Sequence, residues 1–150
     1  AFQTVTLQES AMEPTYSVGQ KFFVNRALYK IKSPKRGDVI VFKTSASDDA
    51  ALHIRRVIGL PGETVQIKEG QIYINGNVYE ENGAYQEIAD GGLADSAITL
   101  ESGEYFVLGD NRNNSEDSRH IDVGKIKKKN ILGKLWFVVS PMDKFGILRK

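Results

Sequence analysis

The sequence predicts a mostly β protein made of short antiparallel strands. Strand-like segments recur along the 150 residues, and no apolar pattern of helical period continues for more than two turns. The segments share β-branched or aromatic residues and are bounded by Gly, Pro, Asn or Asp; they are KFFVNRAL, DVIVF, RRVIGL, TVQIK, QIYINGNVY, EYFVLG and KLWFVV. Short strands at this close spacing are typical of a barrel or of stacked antiparallel sheets.

Turn residues separate these segments in the order that the strands require. Gly37, Gly62 and Gly70 each stand between two consecutive segments, within RGD, PGE and EG. Asn75-Gly76 lies between QIYI and NVYE. This pair predicts a tight β-hairpin, because both turn residues tolerate a positive φ angle.

Two polar segments have no strand-like pattern. Residues 82–97 (NGAYQEIADGGLADSA) are small, acidic and glycine-rich. They form either a mobile surface loop or part of a subdomain inserted between two halves of a core domain. The lysines of KIKKKN are more typical of a solvated face than of a patch for phosphate or anionic lipid; they are Lys125, Lys127, Lys128 and Lys129.

Composition excludes several classes of protein. The length fits one domain, or one with a small insertion, which buries about 70% of its unfolded surface without a disulfide or metal. The absence of cysteine excludes a disulfide scaffold, a thiol nucleophile, an iron–sulfur cluster and a cysteine zinc finger. With only His53 and His120 and no HExxH motif, no metal or other cofactor is expected. A formal net charge of +1 argues against nucleic acid as a partner.

The sequence contains no transmembrane or signal segment of its own. No apolar run approaches the roughly 20 residues that span a bilayer. The opening AFQTVTL has neither the basic region nor the long apolar region of a signal peptide. It also has no initiator Met, so we expect that a preceding segment has been removed.

Four motifs occur in a fixed order along the chain. They are SAMEPT from Ser10, KRGDVIVF from Lys35, HIRRVIGLPGE from His53 and GDNRNNSEDSR from Gly109. Together they resemble the motifs of the bacterial type I signal peptidases, the S26 family, which use a Ser/Lys dyad. The resemblance extends from about Leu7 to Phe137, and it is specific because all four motifs are in register.

The resemblance implies a fold and a location. Family members have an antiparallel β catalytic core, similar to that of LexA, with a smaller β insertion. Here the core would be residues 1–65 with 103–150, and the insertion 66–102. Members are held at the extracytoplasmic face of the cell membrane by N-terminal transmembrane segments, so we expect a single-pass anchor before Ala1. The apolar residues near the start either serve membrane association or pack in the core; they are Phe2, Val5, Leu7 and Met12.

The resemblance also implies that both catalytic positions have changed. The family's nucleophile is the serine directly before Met, and here Ala11 has no hydroxyl with which to form an acyl-enzyme. The family's general base is the lysine of KRVIGLPG, and here Arg55 carries a guanidinium that keeps its proton. Loss of the nucleophile alone costs on the order of a millionfold in rate. As written, the chain is predicted to be catalytically inactive.

Neighbouring residues offer little rescue. In an extended segment Ser10 would point away from the site, because successive side chains of such a segment face opposite ways. His53 would share a strand face with Arg55 and is interpreted as a structural or peptide-lining residue. His120 is expected at the surface.

Other family positions are retained. Ser115 matches the serine that orients the base lysine. Asp117 with Arg119, and Arg56 with Asp110, match two ion pairs that brace the site. Exposed pairs would contribute less than about 1 kcal/mol each, but the spacing within the motifs favours a scaffolding role.

The resemblance implies a groove for an extended peptide. Its walls would be the segments before the nucleophile and base positions, pairing with the peptide through backbone hydrogen bonds; they contain Gln8, Glu9, Ser10, Met12, Leu52, His53 and Ile54. Met12 and Ile54 are expected in a shallow pocket for small side chains. Glu9 stands where some members have a hydroxyl that binds the oxyanion, and a carboxylate would repel it. Arg55 is expected to fill part of the cleft and to pair with Glu9 or Asp110.

Three functions follow as hypotheses. The first is a non-enzymatic relative that binds extended segments of exported proteins or pilins and assists pilus assembly alongside a sortase. Signal-peptidase-like proteins in Gram-positive pilus gene clusters do this, and the changes at Glu9, Ala11 and Arg55 favour it. The second is a type I signal peptidase that cleaves the signal peptides of exported preproteins, present as an engineered inactive variant. The third, a LexA-like self-cleaving regulator, is disfavoured because the LPG and GDN motifs match the secretory family and DNA-binding helices are missing.

Overall fold

The computed structural model describes residues 2–45 and 50–148, without the side chain of Phe2. One short helix, α1, spans Leu28–Ile31. The strands are β1 (Phe2–Thr6), β2 (Lys21–Asn25), β3 (Val39–Lys43), β4 (Leu52–Gly59), β5 (Thr64–Lys68), β6 (Gln71–Ile74), β7 (Asn77–Val78), β8 (Ile98–Thr99), β9 (Glu104–Leu108), β10 (Ile126–Lys127), β11 (Ile131–Ser140) and β12 (Gly146–Ile147). Short 3-10 turns span Ser10–Met12, Gly92–Asp95, Lys128–Asn130 and Met142–Lys144. Within this part of the chain, no helix has the length and apolarity needed to cross a membrane.

The strands form two sheets. The larger follows the order β1-β2-β11-β3-β4-β9-β10, with β12 beside β11, and the smaller follows β7-β6-β5-β8. Adjacent strands in both sheets run antiparallel. The predicted mostly β, antiparallel fold is therefore confirmed.

The predicted segments coincide with strands, and the differences have local causes. Asn75 and Gly76 form the predicted hairpin turn, with φ angles of 52° and 81°. The segment KFFVNRAL does not stay extended, because Asn25 Oδ1 accepts hydrogen bonds from the backbone N–H groups of Ala27 and Leu28 and turns the chain into α1. Strand β1 lies outside the predicted segments, since no turn residue bounds it on the N-terminal side.

The two sheets share a hydrophobic core. Ile58, Phe106 and Leu108 of the larger sheet pack with residues of β5, β6 and the segment after β7. Ile88 and Ala94 belong to this core, so residues 82–97 pack against the second sheet, as the inserted-subdomain interpretation expects. The division of the chain at 66–102 stays a prediction; the strands of the smaller sheet fall within residues 64–99.

A second core cluster lies beneath the start of the chain. It contains Leu7 and Met12, both fully buried, with Val5 packed against it, so these residues serve the core. The side chain of Phe2 lies outside the described part of the structure. Hydrogen bonds from Leu7 N to Gln20 O (2.9 Å) and from Gly19 N to Leu7 O (2.8 Å) hold the segment that leads to the first motif.

Among residues 2–45 and 50–148, two strand edges beside this cluster have no strand partner. Strand β1 is at the end of the larger sheet, so only one of its edges is paired. The first half of β4 pairs with β3, whereas its pairing with β9 begins at Arg56. An open backbone edge is a template for the addition of another strand.

Candidate functional site

The implied site residues line two adjoining grooves. The first, called the site groove, has a volume of about 590 Å³ and is lined by residues that include Ala11, His53 and Ser115. The second, called the strand groove, has a volume of about 450 Å³ and lies between residues 5–9 and 51–55. Glu9 lines both grooves. The two open strand edges therefore lead to Ala11.

Met12 does not line either groove, which corrects the sequence prediction. Its side chain is 0% exposed and packs in the core with Leu7 and Ile54. Ile54 does line the strand groove, together with Gln8 and Leu52. Met12 is turned inward because the chain enters a 3-10 turn at Ser10 instead of continuing as a strand.

The same 3-10 turn places Ser10 and Ala11 together on the site groove. The prediction that Ser10 points away assumed an extended segment, and the alternation of side chains in such a segment does not apply to a turn. Asn111 holds the turn: its backbone N–H donates to Ala11 O (2.8 Å) and its side chain donates to Ser10 O (3.1 Å).

Gly109 permits this close approach, and sequence analysis did not single it out. A Cβ on Gly109 would lie 2.6 Å from Ala11 O and would overlap Ser115 Oγ. Only glycine, which has no side chain, lets the chain directly after β9 pass between Ala11 and Ser115. Its place at the start of GDN was the available signal.

Arg55 is buried, and each of its three guanidinium nitrogens donates a hydrogen bond. The side chain is 1% exposed. Its nitrogens donate to Glu9 Oε2 (2.6 Å), Glu116 O (2.7 Å) and Ile54 O (2.8 Å). The expected pairing of Arg55 with an acidic neighbour is confirmed for Glu9. A guanidinium held in this way stays protonated and cannot accept a proton from a hydroxyl at position 11.

Glu9 lies between two basic side chains. His53 Nδ1 is 3.6 Å from Glu9 Oε1, an ion-pair distance beyond the usual hydrogen-bond range, and Arg55 is closer. His53 and then Arg55 lower the pKa of Glu9 to about 2, although partial burial acts in the opposite direction. Phe42 stacks on the His53 ring with centroids 5.6 Å apart. Glu9 is therefore a carboxylate near neutral pH, at the junction of the two grooves.

Ser115 does not contact Arg55 through its hydroxyl. Ser115 Oγ donates to Asp117 Oδ2 at 2.9 Å. The Arg119 guanidinium donates to both oxygens of Asp117, each at 2.8 Å, and the predicted Asp117–Arg119 pair is confirmed. Burial raises the pKa of Asp117. The hydrogen bonds and the positive charge of Arg119, together with hydrogen bonds from Gly109 N and Ser115, outweigh burial and hold the pKa below its ordinary value.

The other predicted ion pair, Arg56 with Asp110, is also present and buried. Two parallel hydrogen bonds of 2.8 and 2.7 Å join the guanidinium to the carboxylate. Arg56 also donates to Gly37 O at 2.9 Å, which links the GDN motif to the RGD turn. Both predicted pairs are thus buried scaffold contacts rather than exposed ones. His120, as expected, is largely exposed.

A fourth buried arginine, Arg112, was missed by sequence analysis. It makes a two-pronged ion pair with Glu81, with Nη2 2.7 Å from Oε2. The ring of Tyr85 covers its guanidinium at 4.1 Å, and its Nε donates to Gly109 O at 2.9 Å. Arg112 therefore joins the last motif to the segment after β7. Only its position within GDNR marked it in the sequence.

The side chains at positions 11 and 55 supply neither a nucleophile nor a general base. At position 11 there is a methyl group, and at position 55 there is a permanently charged side chain. Among residues 2–45 and 50–148, no group of three or more His, Asp or Glu side chains is arranged to hold a metal ion. The open strand edges and the charged junction at Glu9 are the features that can recognise a partner.

Comparison with known proteins agrees with the motif order. The family model for signal peptidase, peptidase S26, matches residues 1–140. The chain belongs to the signal peptidase I family. It is 38% identical over 134 residues to signal peptidase I V of Bacillus subtilis, covering 82% of this chain and 77% of that protein.

Two further relatives define the extent of the similarity. A probable signal peptidase I-2 of Synechocystis is 32% identical over 146 residues, which cover 95% of this chain. The chain spans 65% of the length of that relative. The crystal structure of a signal peptidase I from Enterococcus faecalis is 34% identical and superposes with a TM-score of 0.53, over 70% of this chain and 98% of that one.

Proposed function

We propose that this protein is a dyad-lacking member of the signal peptidase I family that binds extended segments of exported proteins without cleaving them. One observation carries the proposal. Beside Ala11, the buried Arg55 guanidinium is hydrogen-bonded to Glu9 and to two backbone carbonyls, while the strand groove beside it is open. Proton transfer to position 55 is blocked, but access for a peptide is not.

The backbone of the groove supports binding by strand addition. Leu7 directs its N–H and C=O groups to Gln20 and Gly19. Because backbone groups alternate in direction along an extended segment, those of Gln8 face the opposite side, where Gln8 lines the strand groove. An extended partner can pair there and insert alternate side chains toward Val5 and Ile54.

The proposal includes a place and a class of partner. Segments of exported proteins or pilins would bind at the extracytoplasmic face of the cell membrane, where family resemblance leads us to expect an anchored domain. A protein that holds such a segment without cleaving it suits pilus assembly beside a sortase. Binding without turnover would keep the partner in position while another enzyme acts.

A second candidate is a type I signal peptidase that cleaves the signal peptides of exported preproteins, present as an engineered inactive variant. The buried Asp117–Arg119 and Arg56–Asp110 pairs favour it, because they keep the scaffold of the site intact. The relatives named above are also signal peptidases. Sequencing codons 11 and 55 of the natural gene distinguishes the two: Ser and Lys support the second candidate, whereas Ala and Arg support the first.

Peptide binding tests the first candidate. A fluorescent extended peptide of small apolar residues should bind and remain intact by mass spectrometry after prolonged incubation. The Gln8→Pro variant removes the backbone donor that faces the groove and should weaken binding by about tenfold, whereas the matched Gln8→Ala variant keeps the donor and the affinity. Cleavage of the peptide, or equal binding by both variants, would contradict the proposal.

A further inference from the structure

A third groove, called the basic groove, continues the strand groove at the end away from Ala11. Leu52 lines both of them. The basic groove also contains Gln3 and Ala50, which precede the strand-groove segments 5–9 and 51–55. Along both walls the chain therefore passes from the basic groove through the strand groove to the site groove.

The basic groove collects cationic side chains from three separate parts of the chain. They are Arg26 and Lys30 around α1, Lys43 at the end of β3, and Lys128 and Lys129 before β11. Among the described residues none of the five makes an ion pair, and no Asp or Glu of the described residues lines the groove. The chain as a whole carries a formal charge of only +1, so this local excess of positive charge is not a general property of the surface.

We infer that the basic groove binds acidic side chains that flank the extended segment held in the strand groove. The inference rests on the proposed function and adds the chemistry of the partner: a run of Asp or Glu beside a stretch of small apolar residues. Strand-groove residues 51–55 span about 16 Å, so the acidic residues lie roughly five positions from the peptide residue nearest Ala11.

The charge of the groove separates such a partner from an ordinary signal peptide. The N-terminal region of a signal peptide is positively charged, and the groove would repel it. Carboxylates placed among Lys30, Lys43 and Lys129 gain several cations that have no competing anion among the described residues. The interaction is exposed, so it contributes to selectivity and weakens with added salt.

Three sets of peptides test the inference. All contain the same stretch of small apolar residues, with a block of about four residues added at the N-terminal or the C-terminal end. The added block is Glu in the first set, Gln in the second and Lys in the third. A Glu block at one end should tighten binding by about fivefold over Gln at low salt, and Lys should weaken it. The Gln peptides alone report on the strand groove and so on the proposed function.

Two matched double variants locate the effect. Lys43→Gln with Lys129→Gln removes two cations of the basic groove and should abolish the preference for Glu. Lys125→Gln with Lys127→Gln removes the same amount of charge from residues 125–129 but outside the groove, and this variant should keep the preference for Glu. Binding of the Gln peptides should be unchanged in both.

Four outcomes would overturn the inference. The first is that Glu at neither end tightens binding, and the second is that the gain persists in the Lys43→Gln, Lys129→Gln variant. The third is that no peptide binds. The fourth is that these lysines are needed for binding to anionic phosphatidylglycerol vesicles but not for binding to the Glu peptides. The last would assign the groove to a lipid surface. Failure of every peptide would also reject the proposed function, whereas binding of the Gln peptides without a preference for Glu would leave it standing.

Discussion

Arg55 Nη2 lies 2.6 Å from Glu9 Oε2, and the two side chains differ sharply in exposure: that of Arg55 is 1% exposed and that of Glu9 is 41%. The pair joins the base position to the residue two places before the nucleophile position. The two residues depend on each other, because a buried guanidinium is costly without an anion and Glu9 supplies the carboxylate that pairs with it. We therefore expect that efficient cleavage would need changes at positions 9, 11 and 55, and that changes at 11 and 55 alone would give less.

The first prediction concerns recovery of peptidase activity. Ala11→Ser alone should give no detectable cleavage of a signal-peptide substrate, because Arg55 cannot accept the proton. Adding Arg55→Lys should give at most weak cleavage, because Glu9 would keep the lysine protonated. Adding Glu9→Gly as well should raise the rate by about tenfold. The Ala11→Ser, Glu9→Gly variant is the control without a base, and robust cleavage by Ala11→Ser alone would refute this account of Arg55.

The second prediction concerns the pH dependence of stability. The pKa of Glu9 is about 2 in the folded chain, compared with an ordinary value of 4.5. A carboxyl group with a lowered pKa stabilises the fold fully above its unfolded pKa and loses that contribution as the pH falls through its folded pKa. The free energy of unfolding of Glu9→Gln should therefore be about 1 kcal/mol below the original at pH 7, and the gap should narrow between about pH 4.5 and 2.

Urea denaturation at a series of pH values measures this gap. Glu101→Gln removes an exposed carboxylate and serves as the control for the change in net charge. A difference between Glu9→Gln and the original chain that stays constant from neutral to acid pH would show that the carboxylate is not held by His53 and Arg55.

The third prediction concerns the buried pair beneath Ser115. Asp117 is 0% exposed and accepts hydrogen bonds from Arg119, Ser115 and Gly109 N. Asp117→Asn should lower the free energy of unfolding by about 3 kcal/mol, because it leaves the Arg119 guanidinium buried without a counter-charge. Chemical denaturation provides the measurement. Asp122→Asn, an exposed change in the same region, should alter stability by less than about 0.5 kcal/mol.

The fourth prediction concerns the close approach at Gly109. Gly109→Ala should destabilise the fold by about 2 kcal/mol and weaken peptide binding, because the added methyl group displaces the turn that contains Ala11. Ser115→Ala combined with Gly109→Ala removes the overlap with Ser115 Oγ, although Ala11 O and the Cβ at position 115 remain 2.6 Å from the added methyl group, and should recover a small part of the stability. Thermal denaturation of the two single variants and the double variant gives the comparison. Additive losses would show that Gly109 and Ser115 do not collide.

Much of the site could be predicted because its motifs are local. The Asp117–Arg119 pair is two residues apart in sequence, and the Asn75-Gly76 turn depends on φ angles that these two residue types tolerate. The Arg112–Glu81 pair could not be predicted. Its partners are 31 residues apart, and only the packing of residues 82–97 on the second sheet brings Glu81 to the last motif.

The sequence by itself determined the fold class and the family motifs, since each is a property of residue type and spacing. It also predicts that the serine and lysine of the dyad are replaced by Ala11 and Arg55. Tertiary structure decided what the changed residues do. It turned Met12 into the core, brought Ser10 onto the site groove, and closed Arg55 onto Glu9. These outcomes depend on a 3-10 turn and on contacts between β4 and the first motif, where distant residues compete for space and charge.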